Sequence, residues 1–214
     1  MDSLKYISRD DIDNMDRVPR LKLINALSGF KSANLIGTIN TTGVENLAIF
    51  SSVFHLGSDP PLLGCILRPK LVPRHTYDNL KATGWYTINH INEEIYQQAH
   101  QTSGKYREDI SEFNMTDLTS FYSGECEAPY VKEANIRIGL KFLEEHLVQT
   151  NNTYMIVGSI EQLMLPADCF EDDGFFDIEK AGTLTISGLD AYHKTKRIDK
   201  LDYVRVDKSV KREE

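Results

Sequence analysis

Three short apolar runs, divided by stiff or glycine-bearing corners, fill residues 31–79 and confine this stretch to strand–turn–strand. Ala33 to Ile39 is apolar and breaks at Thr42-Gly43. A second run sets hydroxyls in an apolar frame, Ala48-Ile49-Phe50-Ser51-Ser52-Val53-Phe54. The corner Ser58-Asp59-Pro60-Pro61 then turns the chain into a third run that ends on Arg68. Runs this short, bounded by Gly, Pro, Asp and Ser, suit strands. Side chains alternate across a strand, so Ser51 and Ser52 face opposite sides. Apolar strands that present Ser-Ser, Arg and Thr to nearby loops suit a ligand with a flat apolar part and an anionic tail.

Around this frame the pattern predicts further elements. Residues 1–18 read as a polar, acidic arm or short helical lead, and Pro19 opens a helix that Gly29 ends. Strands are expected at 33–40, 46–56, 62–68 and 85–90. Thr76 is placed to cap a short helix over Tyr77 to Ala82, stopped by Gly84, and Asn92 to cap another that runs to Thr102. Residues 104–130 show no period, and a segment that long covers either a site or a partner. Ile136 to Gln149 alternates and is followed by Asn151-Asn152 and Thr153-Tyr154-Met155-Ile156-Val157, the pattern of a β-hairpin. Glu171-Asp172-Asp173-Gly174 is a loop, and residues 194–214 form a charged extension. With no internal repeat and no low-complexity linker, residues 1–214 read as one domain.

Charge and cysteine usage narrow the function classes. The net charge of -8 opposes a nucleic-acid surface, which needs a basic stripe. Cys65, Cys126 and Cys169 lie far apart without zinc or redox spacing, which points to a reducing compartment, and Cys65 reads as a buried small hydrophobe. The first residues have neither a basic nor an apolar signal region, and no apolar run approaches a bilayer span of roughly 20 residues. A cytoplasmic protein without membrane or metal is the expectation. Dinucleotide G-x-G-x-x-G, phosphate-loop, H-E-x-x-H and G-x-S-x-G motifs are absent from the sequence.

Candidate ligand contacts follow from position. Arg68 closes a strand, and Arg74, His75 and Thr76 precede a helix start, where backbone N–H groups and the helix dipole favour an anion. Arg68 or Arg74, with Thr76, forms the expected phosphate clamp. Taken without other context, Ser51 and Ser52 are strand serines with satisfied hydroxyls, Thr76 a helix cap, and His100 a surface residue at a helix end.

The ordered series Asn46-Leu47-Ala48-Ile49-Phe50-Ser51-Ser52, Asp59-Pro60-Pro61-Leu62 and Thr76-x-x-Asn79 resembles the flavin reductase-like family. Gly84-Trp85-Tyr86-Thr87-Ile88-Asn89, Gln98-Ala99-His100-Gln101-Thr102-Ser103 and Asp109-Ile110-Ser111-Glu112-Phe113 continue the likeness, which resumes at Val157 to Ile160 and at Gly182 to Tyr192. It covers most of the chain from about residue 25 onward. The resemblance implies a mainly β fold, a six-stranded antiparallel split β-barrel with flanking helices that binds FMN non-covalently. It implies a cofactor site along Asn46, Ala48, Ile49, Phe50, Ser51 and Ser52, with Arg68 or Arg74 and Thr76 at the phosphate, and with His100, Ser103 and Tyr192 near the flavin. Lys105 and Tyr106 share the expected approach of the loop after His100. The implied activity is NAD(P)H-dependent flavin reduction by a homodimer. The rivals are a non-enzymatic FMN-binding electron carrier or sensor, and a barrel without cofactor that serves only in interactions. Relatives carry Lys or Ser before the Thr76 position and Arg with paired glycines ahead of the late aromatic. Here Pro69-Lys70-Leu71-Val72-Pro73 and Gly182-Thr183-Leu184-Thr185-Ile186-Ser187-Gly188 stand instead.

Overall fold

The computed structural model describes residues 4–69 and 73–204. Helices α1 (Arg9–Asn14), α2 (Arg17–Ala26), α3 (His75–Thr83), α4 (Tyr96–Gln101) and α5 (Glu112–Thr116) flank the strands. These are β1 (Lys31–Ser32), β2 (Asn34–Ile39), β3 (Glu45–Phe50), β4 (Val53–Ser58), β5 (Pro61–Leu67), β6 (Trp85–His90), β7 (Ser120–Phe121), β8 (Tyr130–Val131), β9 (Arg137–Val148), β10 (Thr153–Met164), β11 (Thr185–Ser187) and β12 (Ala191–His193).

One seven-stranded antiparallel sheet, ordered β3-β2-β6-β9-β10-β5-β4, carries the fold. Its edges are β3 and β4, which follow each other in the chain and are joined only by Ser51 and Ser52. Laid flat, edges six strand spacings apart would be about 29 Å from each other. The link from Phe50 to Val53 spans at most about 11 Å. The sheet must therefore curl until its edges meet at this corner, where Ser52 bonds the Ile66 backbone of β5. Counting β3 and β4 as one bent strand gives the expected six; hydrogen-bonded separately they make seven. No ladder joins β3 to β4 along their length, so the barrel stays split.

Alternation sorts the core. Ile36, Cys65, Tyr86, Ile88, Leu140 and Ile156 fill the inner face together with Tyr77 and Leu80 of α3. Leu35, next to Ile36, and Leu47 on β3 face outward and are covered by Ile95, Ala99, Phe113, Leu184 and Ile186. Gly139 and Gly158 sit where a Cβ would overlap the hydroxyls of Tyr130 and Tyr86, so these two phenols reach across the sheet only because glycine is there. Burial alone raises the Cys65 thiol to about 12, as expected of an inert core cysteine.

Several expectations shift. The strand predicted over 46–56 breaks at the two serines, because the chain changes sheet edge there. Thr76 lies inside the first turn of α3, whose N-cap is Arg74, and its hydroxyl accepts from Asn46 rather than capping. Asn92 accepts the Glu94 N–H in a turn ahead of α4, so that helix begins later than expected. Residues 104–130, expected to lack regular structure, hold α5 and β7, and they bury Phe113, Leu118 and Tyr130 within the chain. The β9–β10 hairpin forms as expected, with Asn152 in the left-handed conformation at its turn. A small sheet ordered β1-β11-β12 was not anticipated. Among the described residues no helix is long and apolar enough to cross a membrane. Of the charged extension, residues 205–214 lie outside the described residues.

Candidate functional site

β3 is the spine of the site because it is an edge. The Leu47 N–H points away from β2 and is taken by the Glu112 carboxylate at 2.8 Å. Backbone direction repeats every second residue, so the N–H and C=O of Ile49 also face the open side. Among the described residues no backbone or side-chain partner meets Ile49 there, and none meets the Ser51 hydroxyl. A planar heterocycle with alternating donors and acceptors along one edge would complete this unpaired row as a missing strand would.

A cationic corner closes one end of the spine. Asn46 donates to the hydroxyls of Thr38 (3.3 Å) and Thr76 (3.1 Å), and Asn79 donates to Thr38 (3.2 Å). This buried network fastens the start of α3 onto β2 and β3. It consumes the acceptor side of Thr76 and leaves its O–H free to donate. Among the described residues Arg74 makes no side-chain cap bond, so the N–H groups of His75 and Thr76 are not capped by it. Arg74 gives Nε to the Pro69 carbonyl at 3.3 Å, and the rest of its guanidinium has no described partner. Arg68, exposed at the exit of β5, makes no hydrogen bond among the described residues. Ser52, by contrast, is committed to Ile66. Of the expected phosphate clamp, Arg74 and Thr76 thus lie at the start of α3 and Arg68 lies at the exit of β5.

At the other side, His100 Nδ1 and the Tyr192 hydroxyl lie 3.0 Å apart, with rings in a T-shaped contact. Tyr96 packs on Tyr192 at 5.6 Å between ring centroids. Burial first, and Asp190 second, raise the Tyr192 hydroxyl to about 12, so it stays neutral. Ile49 and Tyr192 pack against the same apolar cluster, which ties the aromatic group to the spine. Ser103 is exposed just past α4, its N–H on the His100 carbonyl. Phe50 packs on the inner core instead, so of the two neighbours on β3 Ile49 faces the aromatic group and Phe50 faces the barrel.

Sequence reasoning passed over Tyr96, although it stands one helical turn before His100 and shares its face. It also passed over Glu112, for which no local signal exists. Two clefts enclosed by the described surface lie elsewhere. One is lined by Glu93, Glu179, Thr183 and Lys194, the other by Asn40, Thr42, Arg107 and Asp109, and neither includes an expected site residue. The expected site lies along the outer edge of β3. Its donor set fits FMN: cations and helix N–H groups for the phosphate, unpaired strand groups for the ring edge, aromatic and aliphatic faces for the ring.

Comparison with known proteins agrees with this geometry. The flavin reductase like domain matches residues 27–185. A split-barrel protein of Shewanella frigidimarina NCIMB 400, solved as a candidate flavin reductase, is 44% identical, with a TM-score of 0.90 over 94% of this chain and 100% of that one. Nitrilotriacetate monooxygenase component B from Bacillus cereus (18% identical, TM-score 0.81, 94% and 100% covered) shares the fold. So does an FMN-binding protein from Thermus thermophilus (16% identical, TM-score 0.63, 77% and 86% covered). With the domain match spanning most of its length, the chain belongs to the flavin reductase-like family.

Proposed function

We propose that this protein binds FMN non-covalently along the open edge of β3 and acts as an NAD(P)H-dependent flavin reductase. The observation that carries the proposal is the unpaired row at Ile49 and Ser51, held between the Arg68–Arg74–α3 corner and the His100–Tyr192 pair. When bound, the flavin supplies the redox chemistry by accepting hydride from nicotinamide. The chain's own residues bind and orient. Arg68 or Arg74 and the α3 N-terminus neutralise the phosphate, and the Ile49 backbone and Ser51 hydroxyl meet the ring edge. Tyr192, kept neutral and hydrogen-bonded to His100, is held in a fixed orientation beside the ring. A second copy is proposed to cover this edge, making the working unit a homodimer.

The test is a titration of purified protein with FMN, FAD and riboflavin, followed by anaerobic addition of NADH and of NADPH while flavin absorbance is followed. Tighter binding of FMN than FAD, with bleaching by at least one nicotinamide, is expected. Bound FMN that neither nicotinamide reduces would assign an electron carrier instead. Absence of flavin binding would leave an interaction barrel.

A further inference from the structure

The segment 104–130 does more than cover the barrel. It touches β3 by side chains at two successive outward positions. Tyr122 donates its hydroxyl to Glu45 Oε1 at 2.8 Å, and Glu112 accepts the Leu47 N–H at 2.8 Å. The next outward position, Ile49, is the unpaired one. The brace therefore ends where the candidate ligand edge begins.

Glu112 is costly to place. It is 5% exposed, and a buried carboxyl needs partners to repay its desolvation. Burial raises its pKa, while the Leu47 N–H, its own N–H and the nearby His75 act to lower it. It opens α5 yet reaches away from that helix. Ser111, the N-cap, makes no cap bond, and its hydroxyl is buried without a partner. A five-residue helix stabilises little alone. Its first side chain is spent on a peptide 65 residues earlier in the chain. An edge strand without a neighbour twists and frays, because half of its backbone groups have no ladder to hold them. A fixed acceptor at Leu47 sets the plane of the peptide row that continues through Ile49 to Ser51.

We infer that Glu112 is a positioning residue for the ligand-binding edge of β3: its carboxyl oxygen stands in for the missing neighbour strand at Leu47 and so holds the Ile49–Ser51 backbone in place to receive the flavin ring. This rests on the proposed function for its ligand but not for its mechanics, which can be read without flavin.

The experiment compares wild type with Glu112→Gln and Glu112→Met. Gln keeps an acceptor of the same reach, and Met keeps the volume without one. Hydrogen–deuterium exchange of residues 45–52 is measured in the absence of flavin, with residues 153–164 as internal reference, and FMN affinity is measured separately. An unsatisfied Leu47 N–H should make the Met variant exchange about tenfold faster over 45–52 and weaken FMN by a similar factor. The reference hairpin should be unchanged, and Gln should stay close to wild type in both measurements. Unchanged exchange over 45–52 in the Met variant overturns the inference, as does a Gln variant no better than Met. Should the Met variant fail to fold, the Gln variant alone decides, since loss of protection over 45–52 there contradicts the acceptor role and retained protection supports it. If wild type binds no flavin, the functional proposal fails while the exchange comparison still judges Glu112.

Discussion

At the scale of single residues, the two arginines at the cationic corner are not equivalent. Arg74 is half-buried, tethered through Nε to Pro69 and placed at the N-cap of α3. Arg68 is exposed and untethered among the described residues. Preorganisation favours Arg74. A charge-assisted contact of about 1.5–3 kcal/mol corresponds to roughly ten- to a hundred-fold in affinity. Arg74→Ala is expected to weaken FMN by that factor and leave riboflavin nearly unaffected, with Arg68→Ala the smaller loss. If both variants bind FMN as wild type does, the clamp lies elsewhere. A second residue-scale effect concerns pH. His90 hydrogen-bonds Thr183 at 3.1 Å, and burial lowers its pKa from 6.5 to about 4. The unfolded chain binds the proton more readily, so stability present above pH 6.5 is lost as pH falls, and the loss is complete near pH 4. About 1.4 kcal/mol per unit makes the full effect roughly 3 kcal/mol. In unfolding titrations between pH 7 and 4 the stability of wild type relative to His90→Asn should fall by roughly 3 kcal/mol on acidification; parallel curves would contradict the assignment.

At the scale of elements, hydrophobic period and turn chemistry were sufficient wherever a strand is decided by its own sequence. The β9–β10 hairpin shows this, since alternation and Asn151-Asn152 specify it locally. The break between β3 and β4 was not legible, because Ser51-Ser52 suit a strand interior as well as a bend. What separates the halves is that each pairs with a different neighbour, β2 or β5, a tertiary choice. The three-stranded sheet was missed because strands of two or three residues show no period. The strap that follows β12 has a different logic. Arg197 bonds Glu171 (2.9 Å) and Asp177 (3.3 Å), Lys200 bonds Glu171 (2.9 Å) and Asp173 (2.6 Å), and both cations lie over the Phe175 ring. Glu171, shared by both, is the keystone. Glu171→Gln should therefore expose the strap to trypsin, with cleavage after Arg197 and Lys200 several-fold faster than in wild type and no change in thermal stability of the barrel. Equal cleavage rates would show that the ion pairs do not hold the strap.

At the scale of the whole molecule, the site joins pieces that no local pattern connects. His100 and Tyr192 are 92 positions apart, and Glu112 and Leu47 are 65 apart. Family resemblance named His100 and Tyr192 without showing that they touch, and residue pattern alone gave neither contact. Residues 104–130 were expected to need a partner for their apolar side chains, yet Phe113, Leu118 and Tyr130 are buried within the chain. Met115 and Tyr122 of that segment stay exposed, and further exposed apolar groups lie on α2 and its exit, at Leu21, Ile24, Leu27 and Phe30, and on the strap, at Ile198, Leu201 and Tyr203. α2 buries none of its own residues. A helix with an apolar side and nothing beneath it is stable only against another surface. In a two-fold dimer each chain offers both faces and receives both, so one contact type serves twice. Light scattering at low micromolar concentration is therefore expected to give twice 24.4 kDa. Charging the centre of the α2 face with Ile24→Glu and Leu27→Glu should shift the mass to that of one chain while circular dichroism stays that of a folded β protein. If the second copy covers the β3 edge, the same double variant should also weaken FMN at least tenfold. A wild type of 24.4 kDa would refute the dimer, and a monomeric variant that binds FMN as wild type does would show that one chain suffices for the site.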